Sequence, residues 1–328
     1  MVLRRRRRQL RLIPAALVVA GVLGLVSACG DDAPPIPQPP LTTPVDPAYD
    51  PAREPAAAAL SLIPADSALV EVTDFDQARL AFGLNDVSSD SDARLRAKFW
   101  AKAERRSPLL STGVFRSPDL PERRLKRVYG FTQDDVAWEA RFGTDDDQLD
   151  GLVVRFRDDL DMAGVQRAVD DDVAGLAGAV VVPDAHVLAL GATADPASSL
   201  AADTDLLAMV ADPAIGTYLR LACEPIVSAL PDSSGSVDLS GLSELDAYAL
   251  GFGTKLVTAH LSGAPRDDVF ARARITVGLT GADAAEYDRL YAKPVADPAG
   301  ARIGWTSFDT RAALALARDG RIPFAACP

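Results

Sequence analysis

The chain has 328 residues, 48% hydrophobic and 24% charged, which is enough for one large or two small globular domains with a real core. The formal net charge is -12, but the first 28 residues carry six arginines and no acid; residues 29–328 hold 28 basic against 46 acidic side chains, a net of -18. A body this acidic repels phosphate backbones, which argues against nucleic acid as a partner.

Arg4 to Arg8 and Arg11 form a charged leader to the apolar stretch Leu12 to Ala28, the layout of a secretory signal. At 17 residues, with Pro14, Gly21 and Gly24 inside it, the stretch is marginal for a membrane-spanning helix. It ends Val26-Ser27-Ala28-Cys29, an aliphatic residue, two small residues and a cysteine. This resembles the lipobox of bacterial lipoproteins, and the resemblance covers about the first 30 residues. It implies that the Cys29 thiol carries a diacylglycerol, that residues 1–28 are a signal peptide cut just before it, and that the protein sits lipid-anchored on the outer face of the cell membrane. Arg7-Arg8-Gln9-Leu10 is a partial twin-arginine match, but Arg11 falls where an apolar residue belongs, which favours the general secretory route. Nine of the 24 prolines lie from Pro34 through Pro55. Residues 29–58 therefore read as an extended tether, able to hold the body up to about 80 Å from the lipid at about 3.1 Å per residue. The body is 59–328, with candidate halves 59–230 and 240–328.

Along the body, Ala68 to Thr73 reads as a strand, with Asp74 or Asp76 capping a brief helix. Ser91 or Asp92 caps a helix to about Glu104, with Leu95, Phe99 and Ala103 on one face. Residues 107–119 are loop-like, and Pro121 opens a short helix that Gly130 closes. Val136 to Phe142 alternates as a half-buried strand and pairs through a polar turn with Leu152 to Arg157. A helix from about Asp161 to Asp171 comes next, then a hairpin of Val180 to Val182 and Val187 to Leu190 around Pro183-Asp184. Helical pieces fill 196–230, one of them starting at Asp212-Pro213, and 231–246 reads as a loop or junction. Tyr248 to Phe252 and Leu256 to Leu261 read as strands. So does Val269 to Leu279, whose odd positions are all apolar while Arg272, Arg274 and Thr276 point away. Asp283 caps a helix to about Lys293 that stacks Tyr287 on Tyr291, Ile303 to Phe308 is a strand, and Arg311 to Arg318 a last helix. The expected class is α+β, mostly antiparallel sheet with helices packed on one face. A weak internal echo, Ala137-Trp138 with Phe142-Gly143-Thr144 against Ala247-Tyr248 with Phe252-Gly253-Thr254, points to two related halves.

The chemistry-bearing residues are sparse. With Cys29 acylated, Cys223 and Cys327 remain as an even pair in an oxidising compartment, and a disulfide between them is expected; a Cys₄ zinc site is excluded. Of the two histidines, His186 lies beside the Pro183 turn, and His260 sits two residues from Ser262 on a strand, roughly 7 Å away and too far for a direct hydrogen bond. No G-x-S-x-G elbow is present. Asp146-Gln148-Asp150-Gly151 matches the first half of a calcium loop, but Arg157 stands where the bidentate Glu belongs, so a polar turn is the better reading. Asp170 to Asp172 read as a solvated helix end. Gly251-Phe252-Gly253-Thr254-Lys255 fits neither glycine-rich nucleotide pattern, and many acids are present without a selected catalytic pair. No cofactor is implied.

One feature stands out. From Ala93 to Arg127 the chain carries 11 basic residues against three acids, a segment of +8 in a body whose remainder totals -26. Arg94, Arg96, Lys98, Lys102, Arg105, Arg106, Arg123, Arg124, Lys126 and Arg127 form a candidate anionic contact patch for headgroups, wall polymer or an envelope protein, unless the segment packs against acidic surface of the same protein. Together with the lipobox and tether, the Arg-, Ala- and Asp-rich composition is similar to that of actinobacterial envelope lipoproteins. The expectation is a non-catalytic binding or scaffold lipoprotein; a small-molecule or lipid carrier is the first rival and an envelope hydrolase the second.

Overall fold

Strand-forming stretches at Leu69–Asp74 (β1), Val136–Gly143 (β2), Gly151–Phe156 (β3), Val180–Val182 (β4), Val187–Leu190 (β5), Gly216–Arg220 (β6), Ala247–Phe252 (β7), Leu256–Ser262 (β8), Ala292–Asp297 (β9) and Arg302–Thr306 (β10) join in one antiparallel sheet. These elements come from a computed structural model, which describes residues 48–328 except 109, 112, 117–119, 145–148, 194, 231–238, 240 and 280. Cys29, the signal segment and residues 29–47 of the tether lie outside the described residues, as do most of the 231–246 junction and part of the calcium-like run.

The strand order is β4-β5-β3-β2-β1-β6-β7-β8-β10-β9. From the centre outward, each side repeats one plan: three consecutive strands, a helical excursion, then two strands entered in reverse order. The break between the two runs falls between β5 and β6, not in the 231–246 loop that the sequence marks as the junction. The two runs meet where β1 pairs with β6, from Leu69 opposite Arg220 to Thr73 opposite Gly216.

The helices are Pro55–Leu60 (α1), Phe75–Phe82 (α2), Ala93–Arg106 (α3), Glu122–Tyr129 (α4), Met162–Asp170 (α5), Thr204–Met209 (α6), Ile226–Ala229 (α7), Arg266–Gly278 (α8), Gly281–Leu290 (α9) and Thr310–Arg318 (α10). The fold is therefore α+β. Most helices share one face of the sheet. There α2 to α5 cover Leu152, Val154 and Phe156 of the first run. On the second run α8 to α10 cover Tyr248, Leu250, Phe252, Ile303 and Trp305. The reverse face, with Val70, Val72, Trp138, Ala140 and Ala249, packs against α1 and α6.

Local chemistry explains the helix ends. Asp74, Asp92 and Asp161 cap α2, α3 and α5 by accepting from backbone N–H groups, and Gly130 closes α4 at φ 87°, a left-handed angle that a side chain resists. At Gly164 a Cβ would meet the Tyr129 carbonyl at 1.9 Å, so only glycine lets α5 cross α4 this closely.

Several expectations are corrected. Val269 to Gly278 belongs to a helix, not a strand: α8 buries Asp268, Val269, Arg272, Ala273, Ile275 and Thr276 at helical spacing, while Val277 is 68% exposed. Its alternation misleads because the inner face carries polar groups. Arg272 is fully buried, pairs with Asp268 at 3.1 Å and donates to the carbonyls of Phe324 (2.9 Å), Ala326 (3.0 Å) and Ser243 (2.5 Å). Burial holds its pKa below the ordinary value. Asp212-Pro213 starts no helix; it precedes β6, whose four buried residues leave no alternation to read. β9 takes the place of the expected helix end near Lys293, as an edge strand that tolerates Pro294. Val136 to Phe142 is not half-buried, since even Glu139 is 0% exposed. The tether gives way to the body before 59: α1 at 55–60 is buried against the reverse face.

Cys223, just past the end of β6, is bonded to Cys327 with Cα atoms 5.1 Å apart and 104 positions between them. The anchor is a strand end, where a helix was expected, and it is stitched further by Glu224 N–H to Ala325 O (2.8 Å) and Cys327 N–H to Glu224 O (2.7 Å). Closing so long a loop stabilises the chain by about 4 to 5 kcal/mol in the chain-entropy account. Tyr287 stacks on Tyr291 at 5.8 Å, and Tyr291, Trp305 and Phe324 complete an aromatic cluster beneath α10.

Asp74 has a distinct pH signature. Burial raises its pKa from 3.8 to about 7, against the opposing hydrogen bond from Gln77 N–H. The fold thus holds this proton more tightly than the unfolded chain does. Its contribution to stability is present in acid and is lost as pH rises through that window. Asp74→Asn keeps a capping oxygen and cannot ionise. It is expected to gain roughly 2 kcal/mol over the parent above neutrality and nothing in acid, in urea titrations across pH. An unchanged difference at all pH values contradicts this.

Candidate basic site between two helices

The basic run of the sequence becomes α3, the loop after it, and α4. What orients it is a buried turn, Thr132 to Asp135, which no hydrophobic periodicity marks. Thr132 Oγ1 accepts from Asp134 N–H (3.1 Å) while Asp135 Oδ2 accepts from Thr132 N–H (2.9 Å), a reciprocal cap in which Thr132, Gln133, Asp134 and Asp135 are all buried. The T-x-x-D pattern was the available signal.

Asp134 is the hub. Its carboxylate accepts from Trp100 Nε1 at 2.7 Å and from Arg96 Nη1 at 3.1 Å, two positions one helical turn apart on α3. Arg79, fully buried on α2, clamps the same turn from behind through the Asp134 carbonyl (2.8 Å) and the Val136 carbonyl (3.0 Å). Trp100 then presents its face to Arg116, whose guanidinium lies 3.9 Å from the ring centroid. Lys126 is held by Ser89 Oγ (2.6 Å) and Asp90 (2.7 Å).

These groups surround a concavity of about 560 Å³ lined chiefly by Arg96, Trp100, Arg116, Arg123, Lys126 and Arg127. Among the described residues its one acid is Glu122, which pairs with Arg96. Of the ten patch residues, four line this space, and Arg116, outside the expected patch, joins them. Lys102 turns aside to donate to the Phe82 carbonyl at 3.1 Å. Arg94, Lys98, Arg105, Arg106, Arg123, Arg124 and Arg127 are exposed and have no ion-pair partner among the described residues. Arg96, Arg116 and Lys126 pair with acids of the same protein, whereas these seven have no such carboxylate among the described residues. Several guanidiniums around one concavity suit oxyanions, which they bind through paired N–H donors.

The other sequence candidates separate. His260 is buried on β8; its Nε2 lies 3.2 Å from Asp212 Oδ2, and burial lowers its pKa. Its partner is thus a carboxylate also held by Arg302 at 3.1 Å, not Ser262. His186 sits at φ 52° in the β4–β5 turn. Among the described residues no group of three or more His, Cys, Asp or Glu is arranged to hold a metal ion, and no helix is long and apolar enough to cross a membrane. Comparison with protein-family models, curated proteins and solved structures finds no match to the chain.

The hub and the rim should part in their energetics. Asp134→Ala leaves Trp100 Nε1 and Arg96 without their buried acceptor and is expected to cost about 3 kcal/mol in urea unfolding. Arg123→Ala with Arg127→Ala should change stability by no more than about 0.5 kcal/mol. Equal costs for hub and rim would contradict this division.

Proposed function

We propose that the chain is a lipid-anchored extracytoplasmic binding protein that docks its α3–α4 face on the anionic headgroups of the bilayer carrying its anchor. The observation that carries this reading is the set of seven exposed basic side chains, on one helical pair of a strongly acidic protein, that have no ion-pair partner among the described residues. Each basic group near an anionic surface contributes about 1 kcal/mol within a Debye length. The remainder of the body, at -26, is repelled by the same surface, so the two charges together orient the molecule. The lipobox-like Cys29 and the proline-rich run after it support placement at the membrane, where the local headgroup concentration is high and modest affinity suffices. The concavity around Trp100 and Arg116 gives the surface a place to receive individual headgroup phosphates as well as a diffuse field.

The test is co-sedimentation of residues 29–328, carrying Cys29→Ser, with phosphatidylcholine vesicles made with and without phosphatidylglycerol. Binding is expected only with the anionic lipid and should weaken as salt rises. Charge reversal at Arg123, Arg124 and Arg127 should weaken it at least about tenfold. Undiminished binding of that variant, or no binding of the parent, overturns the reading; binding to purified anionic wall polymer in place of vesicles would reassign the partner.

A further inference from the structure

The centre of the sheet holds a second concavity. On the helix-bearing face, where β1 and β6 join the two strand runs, Leu69 and Glu71 of β1, Arg141 of β2, Tyr218 of β6, Leu110, Leu149 and Arg318 of α10 line a cleft of about 380 Å³. This size suits a small organic ligand.

Its charges are unevenly satisfied. Arg318 grips Glu71 with two parallel bonds, Nε to Oε1 at 2.7 Å and Nη2 to Oε2 at 2.8 Å, and also donates to the Leu110 carbonyl. Glu139, behind the cleft and fully buried, accepts from Ser111 Oγ (2.5 Å), Val114 N–H (3.1 Å) and Arg141 Nε (3.1 Å). Both carboxylates are thus complete. Arg141 is not: it reaches Glu139 through Nε alone, and neither of its terminal nitrogens has an acceptor among the described residues. Its side chain is 36% exposed. An arginine placed only to neutralise Glu139 would engage it side-on with two donors, as Arg318 engages Glu71 across the same cleft.

The open guanidinium edge adjoins an apolar wall of Leu69, Leu110, Leu149 and the Tyr218 ring. We infer that the cleft binds a small monocarboxylate with an apolar body, its carboxylate on the Arg141 terminal nitrogens and its body against the leucines and Tyr218. The charge balance selects the class. Among the described residues both glutamates are already engaged by arginines, so a cation finds no unused carboxylate; the open Arg141 edge offers donors for one carboxylate and leaves a second without a partner; and a bare inorganic anion leaves the apolar wall wet.

The experiment is calorimetric titration of residues 29–328, carrying Cys29→Ser, with octanoate, octanol, octylamine and acetyl-leucyl-leucine. Octanoate or the acetylated dipeptide should bind at least tenfold more tightly than octanol or octylamine; whichever acid binds better assigns the carboxylate to an aliphatic acid or to a peptide C-terminus. Arg141→Gln should weaken the preferred acid at least tenfold. Because that change leaves Glu139 with one fewer partner, Leu149→Trp serves as the second variant: it fills the cleft, keeps both arginines and should also abolish binding. No binding of either acid by the parent, equal binding of octanol, or unchanged binding in both variants overturns the inference.

Discussion

The pairing of β1 with β6 is the constraint on which the rest depends. Five residue pairs, Leu69 with Arg220 through Thr73 with Gly216, fuse two five-stranded runs into one ten-stranded sheet. Without it each run would end in an exposed inner edge, an open template for association. The seam also concentrates buried charge: Glu71 and Glu139 lie beside it with at most 5% exposure. Burying carboxylates is costly unless every lone pair is engaged, and here Arg318, Arg141, Ser111 and Val114 engage them. Arg318 is 247 positions from Glu71, so this contact binds the last helix of the second run to the first strand of the first. Residues Pro44–Pro328 accordingly form one compact unit.

The two runs share one strand plan, and it is their local elements that show where sequence and structure agree. The echo between Ala137-Trp138 and Ala247-Tyr248 falls on β2 and β7, each second from the seam, but Trp138 packs on the reverse face and Tyr248 on the helix-bearing face, so the echoed residues are not equivalent. The first-run hairpin, the β4–β5 hairpin and the caps at Asp74, Asp92 and Asp161 were legible because they rest on local periodicity and on side chains bonding their own backbone. β6 was not, because a central strand buried on both faces carries no alternation and its Leu-rich flanks read as helix. α8 was misread for the opposite reason. Its inner face includes Asp268 and Arg272, a buried pair in which Arg272 bonds carbonyls 29 to 54 positions away, so polarity pointed outward where the side chains point in.

The same division applies to the basic site. The charge of the α3–α4 segment was plain, since eleven basic residues cluster in 35 positions. Its shape was not. The concavity depends on Asp134 turning Trp100 and Arg96 to one side, and on Arg116 arriving from a loop to stack on the indole. Those contacts join residues 16 to 38 positions apart and leave no periodic trace. A rigid turn behind a cationic rim is an economical way to hold like charges together. The hub's hydrogen bonds supply the order, and the rim's exposure keeps the mutual repulsion screened by water.

If the chain is lipid-anchored as proposed, its one basic face on an otherwise acidic body sets how far that body stands above the bilayer. Neutron reflectometry of the acylated chain on supported bilayers measures this distance directly. On membranes containing phosphatidylglycerol the protein layer should adjoin the headgroups at low salt and retreat as salt rises, whereas on pure phosphatidylcholine it should stand off at the length of its tether throughout. The same stand-off on both membranes, independent of salt, would contradict docking through the α3–α4 face.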